Sequence, residues 1–119
     1  IMDRIINENN GLKFNNENID VIYSHNDSMT LGLLDSLKEN HISSHQTIII
    51  SIDAEQKCID ALVNGDVNCV VECNPNLGPT LMELVKQIAK GEHIPRITYM
   101  NETVFKETDD FSTYTPRGY

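Results

Sequence analysis

Three short apolar runs, each closed by polar side chains and followed by a helix-like segment, limit what this chain can fold into. Residues 19–23 lead into His25, Asn26 and Asp27, residues 47–52 end on Asp53, and residues 67–71 end on Glu72, Cys73 and Asn74. The middle run, Thr47-Ile48-Ile49-Ile50-Ser51-Ile52, has no polar–apolar alternation and suits a strand buried on both faces. Between the runs, apolar residues recur at helical spacing. Met29, Leu33, Leu34 and Leu37 form one stripe, and Cys58, Ile59, Leu62 and Val63 another, closed by Gly65. Strands alternating with helices over short connections predict an α/β layered fold with a mostly parallel sheet. In such a sheet all three polar strand ends fall on one edge, where open α/β proteins bind ligands.

The rest of the chain extends this pattern. Residues 1–8 read as the end of a helix stopped by Asn9-Asn10-Gly11, and residues 12–18 as a polar loop. Asp27 or Ser28 is the expected cap of the second helix, which ends near Asn40. Gly32 lies inside it and implies close packing against a strand. After Asn74-Pro75, a helix over 77–90 carries Leu81, Leu84, Val85 and Ile88 on one side. Residues 96–104 read as extended with Ile97 and Tyr99 inward, and 107–119 as a surface tail.

Composition excludes several function classes. Of 119 residues, 39% are hydrophobic, enough for a folded core. The net charge of −9, with no basic stripe, argues against nucleic-acid binding. No run approaches the ~18 apolar residues of a membrane span. The start, Ile1-Met2-Asp3, falls in mid-pattern and reads as a piece of a longer protein. Cys58, Cys69 and Cys73 match no strong zinc spacing and read as buried free thiols, and His41 and His45 flank a loop rather than a metal site.

Asn26, Asp53 and Glu72 stand at three successive strand ends. Carboxylates accept hydroxyl protons and an amide both donates and accepts, so the trio suits a hydroxyl-rich ligand. The competing reading is helix capping by Asp27 and Asp53. His25 and Asn74 flank the same edge as secondary contacts. Paired carboxylates also serve in glycoside hydrolysis, but no nucleophile elbow, P-loop or GxGxxG turn is present, so no catalytic residue, cofactor or metal is assigned.

The stretch from Val21 to Gly32, with its Tyr-Ser-His-Asn-Asp core, resembles the strand, Asn-Asp and helix motif of type I periplasmic sugar-binding proteins, the substrate-binding components of ABC importers. Ile50-Ser51-Ile52-Asp53-Ala54 resembles their next strand end, commonly Gly-Phe-Asp-Gly, with Ile52 and Ala54 departing from it. Val70-Val71-Glu72-Cys73-Asn74-Pro75 resembles the third, where many ribose-type members carry glutamine in place of Glu72. The Glu-Cys-Asn-Pro form and the ending Tyr114-Thr115-Pro116-Arg117-Gly118-Tyr119 are most similar to the galactofuranose-type branch.

The resemblance implies a three-layer α/β fragment of a two-lobed clamp closing on a monosaccharide, in furanose form for that branch. It implies an ABC permease as partner and an extracytoplasmic location, periplasmic or lipid-anchored. Residues 1–72 would belong to the C-terminal lobe, 73–101 would cross to the N-terminal lobe, and 102–119 would return. Asn26, Asp53 and Glu72 would hydrogen-bond sugar hydroxyls. The alternatives sharing this fold are the effector core of a lactose-repressor-type regulator and a sugar-sensing receptor domain.

Overall fold

The computed structural model describes residues 1–119. Helix α1 (Met2–Asn9) ends where Asn10 enters the left-handed region at φ 52°. A two-residue hairpin follows, β1 (Lys13–Phe14) against β2 (Glu17–Asn18). Then come β3 (Val21–Tyr23), α2 (Asp27–Glu39), β4 (Ile48–Asp53), α3 (Gln56–Val63), β5 (Cys69–Glu72), α4 (Gly78–Ala89) and β6 (Val104–Lys106). A short 3-10 turn, Ser44–Gln46, precedes β4.

The sheet order is β3-β4-β5-β6, with the first three strands parallel and β6 antiparallel to β5. Consecutive strands lie side by side, so both right-handed crossovers place their helices on one face. There Ile49 and Val70 are buried with Leu33 and Leu37 of α2 and with Cys58, Ile59 and Leu62 of α3. Ile6 of α1 and Leu12 extend the same core. Asp3 ties α1 to α2 by accepting the Ser36 hydroxyl at 2.5 Å and the Asn40 amide at 3.2 Å.

The opposite sheet face is open. Val21 and Tyr23 on β3, Ile48 on β4 and Val104 on β6 are each about half exposed. The lack of alternation in the run 47–52 predicts burial on both faces, and within these residues only one is covered. Two of the three expected layers are therefore present. The radius of gyration is 18.8 Å, against about 13.5 Å for a compact domain of this length. The excess comes largely from residues 77–101, where α4 buries none of its side chains and Leu81, Val85 and Ile88 keep about half their surface. No helix is long and apolar enough to cross a membrane.

Several local expectations need correction. The stretch 12–18 is a hairpin rather than a loop. Asn15 and Asn16 both take positive φ, the geometry of two-residue hairpin turns, which asparagine tolerates. Gly32 faces open space, with no atom within 4 Å of an added Cβ, so strand packing does not explain it. Ile97 and Tyr99 are exposed, because no strand of this chain lies beside them. The tail is not merely surface: Phe111 and Tyr114 pack edge-to-face with each other and onto Phe105 of β6, against the core.

The three cysteines are free, but only Cys58 is buried as expected: Cys69 is partly covered and Cys73, beyond the end of β5, is exposed. Cys58 is fully buried beside Asp27 and Ser51, and burial pushes its thiol up to about 12. Thiolate is the reactive form. In native protein at about pH 8, a thiol reagent should therefore modify exposed Cys73 and leave Cys58 until denaturant is added. Peptide mapping after labelling checks this; equal native-state modification of both would contradict the burial.

Candidate functional site

The parallel register that aligns Asp53 with Glu72 puts both side chains on one face at the C-terminal edge of the sheet. The chain leaves β4 through two consecutive non-glycine residues at positive φ, Asp53 at 116° and Ala54 at 64°. L-residues rarely hold this backbone, and such strain concentrates at ligand sites. It also gives a physical reason for glycine after the aspartate in the resembled motif. The turn is held by Cys73 N–H donating to the Asp53 carbonyl at 3.1 Å.

The carboxylates near this edge differ in what they already hold. Asp27 is fully buried and engaged through both oxygens: it accepts the Ser51 hydroxyl and the Glu55 backbone N–H, each at 2.5 Å. Thr30 extends the network to Ser51 at 2.5 Å. Asp27 thus joins the starts of α2 and α3 across the end of β4. It does not cap α2. That role belongs to Asn26, whose Oδ1 accepts Met29 N–H at 2.9 Å. Glu55 occupies the cap position of α3 without a side-chain bond, so Asp53 is not a capping residue either. The Asp53 carboxylate is partly buried and accepts no hydrogen bond from the chain, which leaves both oxygens available.

Asp53 lines a cleft of about 690 Å³ with Glu55, Cys73, Asn74, Pro75, Leu77 and Tyr119. Asn74 shapes its rim, accepting Asn76 N–H on Oδ1 at 2.9 Å and donating its own N–H to Glu102 at 3.1 Å. Glu72 sits behind this wall, 7% exposed, joined to it through the Tyr119 hydroxyl at 3.0 Å. Asn26 and His25 end the neighbouring strand and do not line the cleft; His25 is exposed and packs edge-on against Tyr23 at 5.1 Å. The structure thus joins Asp53, Asn74 and Glu72 closely, with Asn26 one strand further out. A concavity of similar size, about 670 Å³, lies between α2 and α3, by Leu34, Lys38, His45 and Lys57.

Arg117 and Tyr119, noted in the sequence only as part of the ending that resembles the galactofuranose-type branch and assigned no role there, enter this neighbourhood. The Arg117 guanidinium pairs with Glu72 and stacks over Tyr119 at 4.6 Å and Phe105 at 5.4 Å. A C-terminal segment without hydrophobic periodicity gives no sign of docking. The available signals were that resemblance and one arginine among aromatic residues in an acidic chain.

No family model matches the chain. It is similar to the galactofuranose-binding protein YtfQ of Escherichia coli, 32% identical over 100 residues covering 82% of this chain and 30% of that protein. It is 30% identical over 84 residues to the fructose import binding protein FruE of Bifidobacterium longum, covering 71% of this chain and 25% of that one. Among solved structures, the periplasmic binding component of the arabinose ABC transporter from Shewanella sp. ANA-3, bound to L-arabinofuranose, superposes with a TM-score of 0.75 at 27% identity. That match covers 89% of this chain and 34% of the other. The chain spans 25–30% of the length of the curated relatives.

Proposed function

This chain belongs to the periplasmic sugar-binding protein family that serves ABC transporters, and on that premise we propose that its open strand-end edge holds one face of a monosaccharide. The carrying observation is Asp53: a carboxylate at the C-terminal end of a central parallel strand, held on strained backbone, lining a cleft and bonded to nothing in the chain. Ionised carboxylates only accept, and sugar hydroxyls supply the donors. Asn26 contributes its free amide NH2, Glu72 a remaining acceptor, and Asn74 and His25 the rim.

The names of YtfQ and of the Shewanella protein's complex both specify furanoses, and a five-membered ring is the proposed ligand form. The open face of the sheet and the unburied α4 support a reading in which further polypeptide of a two-lobed protein packs against them. Residues 1–72 and 102–119 then serve one lobe, with 73–101 crossing to the other. Lobe closure over the sugar presents the docking surface to a permease outside the cytoplasm. The curated relatives are solute-binding proteins, one of them an import component by name, which favours transport over gene regulation and over catalysis.

A thermal-shift screen of the complete two-lobed protein tests this, using pentoses and hexoses locked as furanosides or pyranosides. A ligand of the folded state present at about 100 times its Kd adds ~2.7 kcal/mol of stability. The expected result is a selective rise in Tm with furanose forms. No rise with any saccharide in a cooperatively folded protein would contradict the proposal.

A further inference from the structure

Glu72 is more constrained than Asp53, and the constraint comes from the last residues of the chain. A carboxylate offers about four acceptor positions. On Glu72, Oε1 takes both the Arg117 guanidinium and the Tyr119 hydroxyl, while Oε2 takes Thr103 N–H at 2.9 Å. One acceptor position remains, on Oε2. Arg117 is itself fixed: its side chain is 11% exposed, between Phe105 and Tyr119. Its backbone N–H donates to Gln56 Oε1, and Gln56 N–H donates to the Tyr119 carbonyl at 2.8 Å. Gln56 opens α3, three residues beyond Asp53. The segment that orients Glu72 is therefore anchored to the same turn that presents Asp53, and Tyr119 walls the cleft.

We propose that Arg117 is a positioning residue of the sugar site: it holds Glu72 so that the single open acceptor on Oε2 meets one ligand hydroxyl, and it thereby sets selectivity at that hydroxyl. The inference rests on Glu72 being a sugar contact. A planar guanidinium suits this role because its donors are set in a rigid fork, whereas a lysine is a point charge on a flexible stem. A site that fixes an acceptor for a hydroxyl also rejects the analogue lacking it, since the acceptor is left unpaired.

The test is calorimetric titration of the complete protein with D-galactose, L-arabinose and each of their monodeoxy analogues, alongside Tm. Comparison of the parent with Glu72→Gln identifies the hydroxyl whose deoxy penalty depends on Glu72. Arg117→Met should shrink that same penalty by about tenfold or more and leave the penalties at other positions within about twofold. Uniform weakening of every analogue, or a lowered Tm with all penalties intact, would overturn the proposal and make the ion pair a fastening of the tail alone. If Arg117→Met does not fold, Arg117→Lys carries the test, with the same selective loss expected. A parent that binds sugar while Glu72→Gln changes no penalty would instead refute the role of Glu72 itself. Loss of the Arg117 effect with the Glu72 effect intact refutes only the positioning role.

Discussion

Asp27→Ala should cost the fold about 1–3 kcal/mol, measured by urea denaturation of the complete protein. The carboxylate is wholly buried, and its two partners are the Ser51 hydroxyl and the Glu55 N–H. Truncation leaves the Glu55 N–H without its acceptor, while the Ser51 hydroxyl can turn to Thr30 Oγ1, and a donor left unpaired costs roughly 1–3 kcal/mol. That is a large part of the 5–15 kcal/mol by which domains are typically stable. Ser51→Ala removes one donor and should cost less than half as much. Asp27→Asn keeps the shape but turns an NH2 toward one of the donors, so an intermediate loss is expected. A change in stability below about 0.5 kcal/mol for Asp27→Ala, the range of an ordinary surface substitution, would contradict the network.

Asp53→Ala should do the reverse. Its carboxylate makes no hydrogen bond within the chain, so stability should stay within about 0.5 kcal/mol of the parent. Sugar binding should fall steeply. Hydrogen bonds to a charged group are worth about 1.5–3 kcal/mol each. Two of them correspond to a loss of roughly 150- to 20,000-fold in Kd. Calorimetry with a furanose and a parallel melting curve separate the two effects. Unchanged affinity, or an affinity loss that only follows unfolding, would remove Asp53 from the site. The two variants thus separate the roles of neighbouring strand-end carboxylates. Asp27 secures the edge, and Asp53 is free to meet a ligand.

That division lies beyond the reach of spacing. The apolar runs and their polar ends are readable because burial imposes period and length, and three strands and four helices fall where the pattern places them. What an Asp at a strand end does depends on partners distant in sequence. Asp27 is engaged by Ser51 and Glu55, 24 and 28 residues away. Asn26 rather than Asp27 or Ser28 caps α2, a choice made by the extended backbone at Asn26. The hairpin at Asn15-Asn16 was hidden because its strands are two residues long and exposed, too short to show an alternation. The docking of Phe111, Tyr114, Arg117 and Tyr119 was hidden because an irregular segment packs by individual side chains, without a repeat. Leu81, Val85 and Ile88 do form the expected helical stripe, but nothing within these 119 residues covers it.

A crystal structure of the complete protein with a bound furanose would decide whether the strand-end edge is the sugar site. The expected structure has a sugar hydroxyl within about 3 Å of the Asp53 carboxylate, with a second hydroxyl on Glu72 Oε2 and Arg117 still paired to Oε1. A sugar seated elsewhere, with Asp53 facing solvent and Glu72 bonded only within the chain, would contradict that assignment.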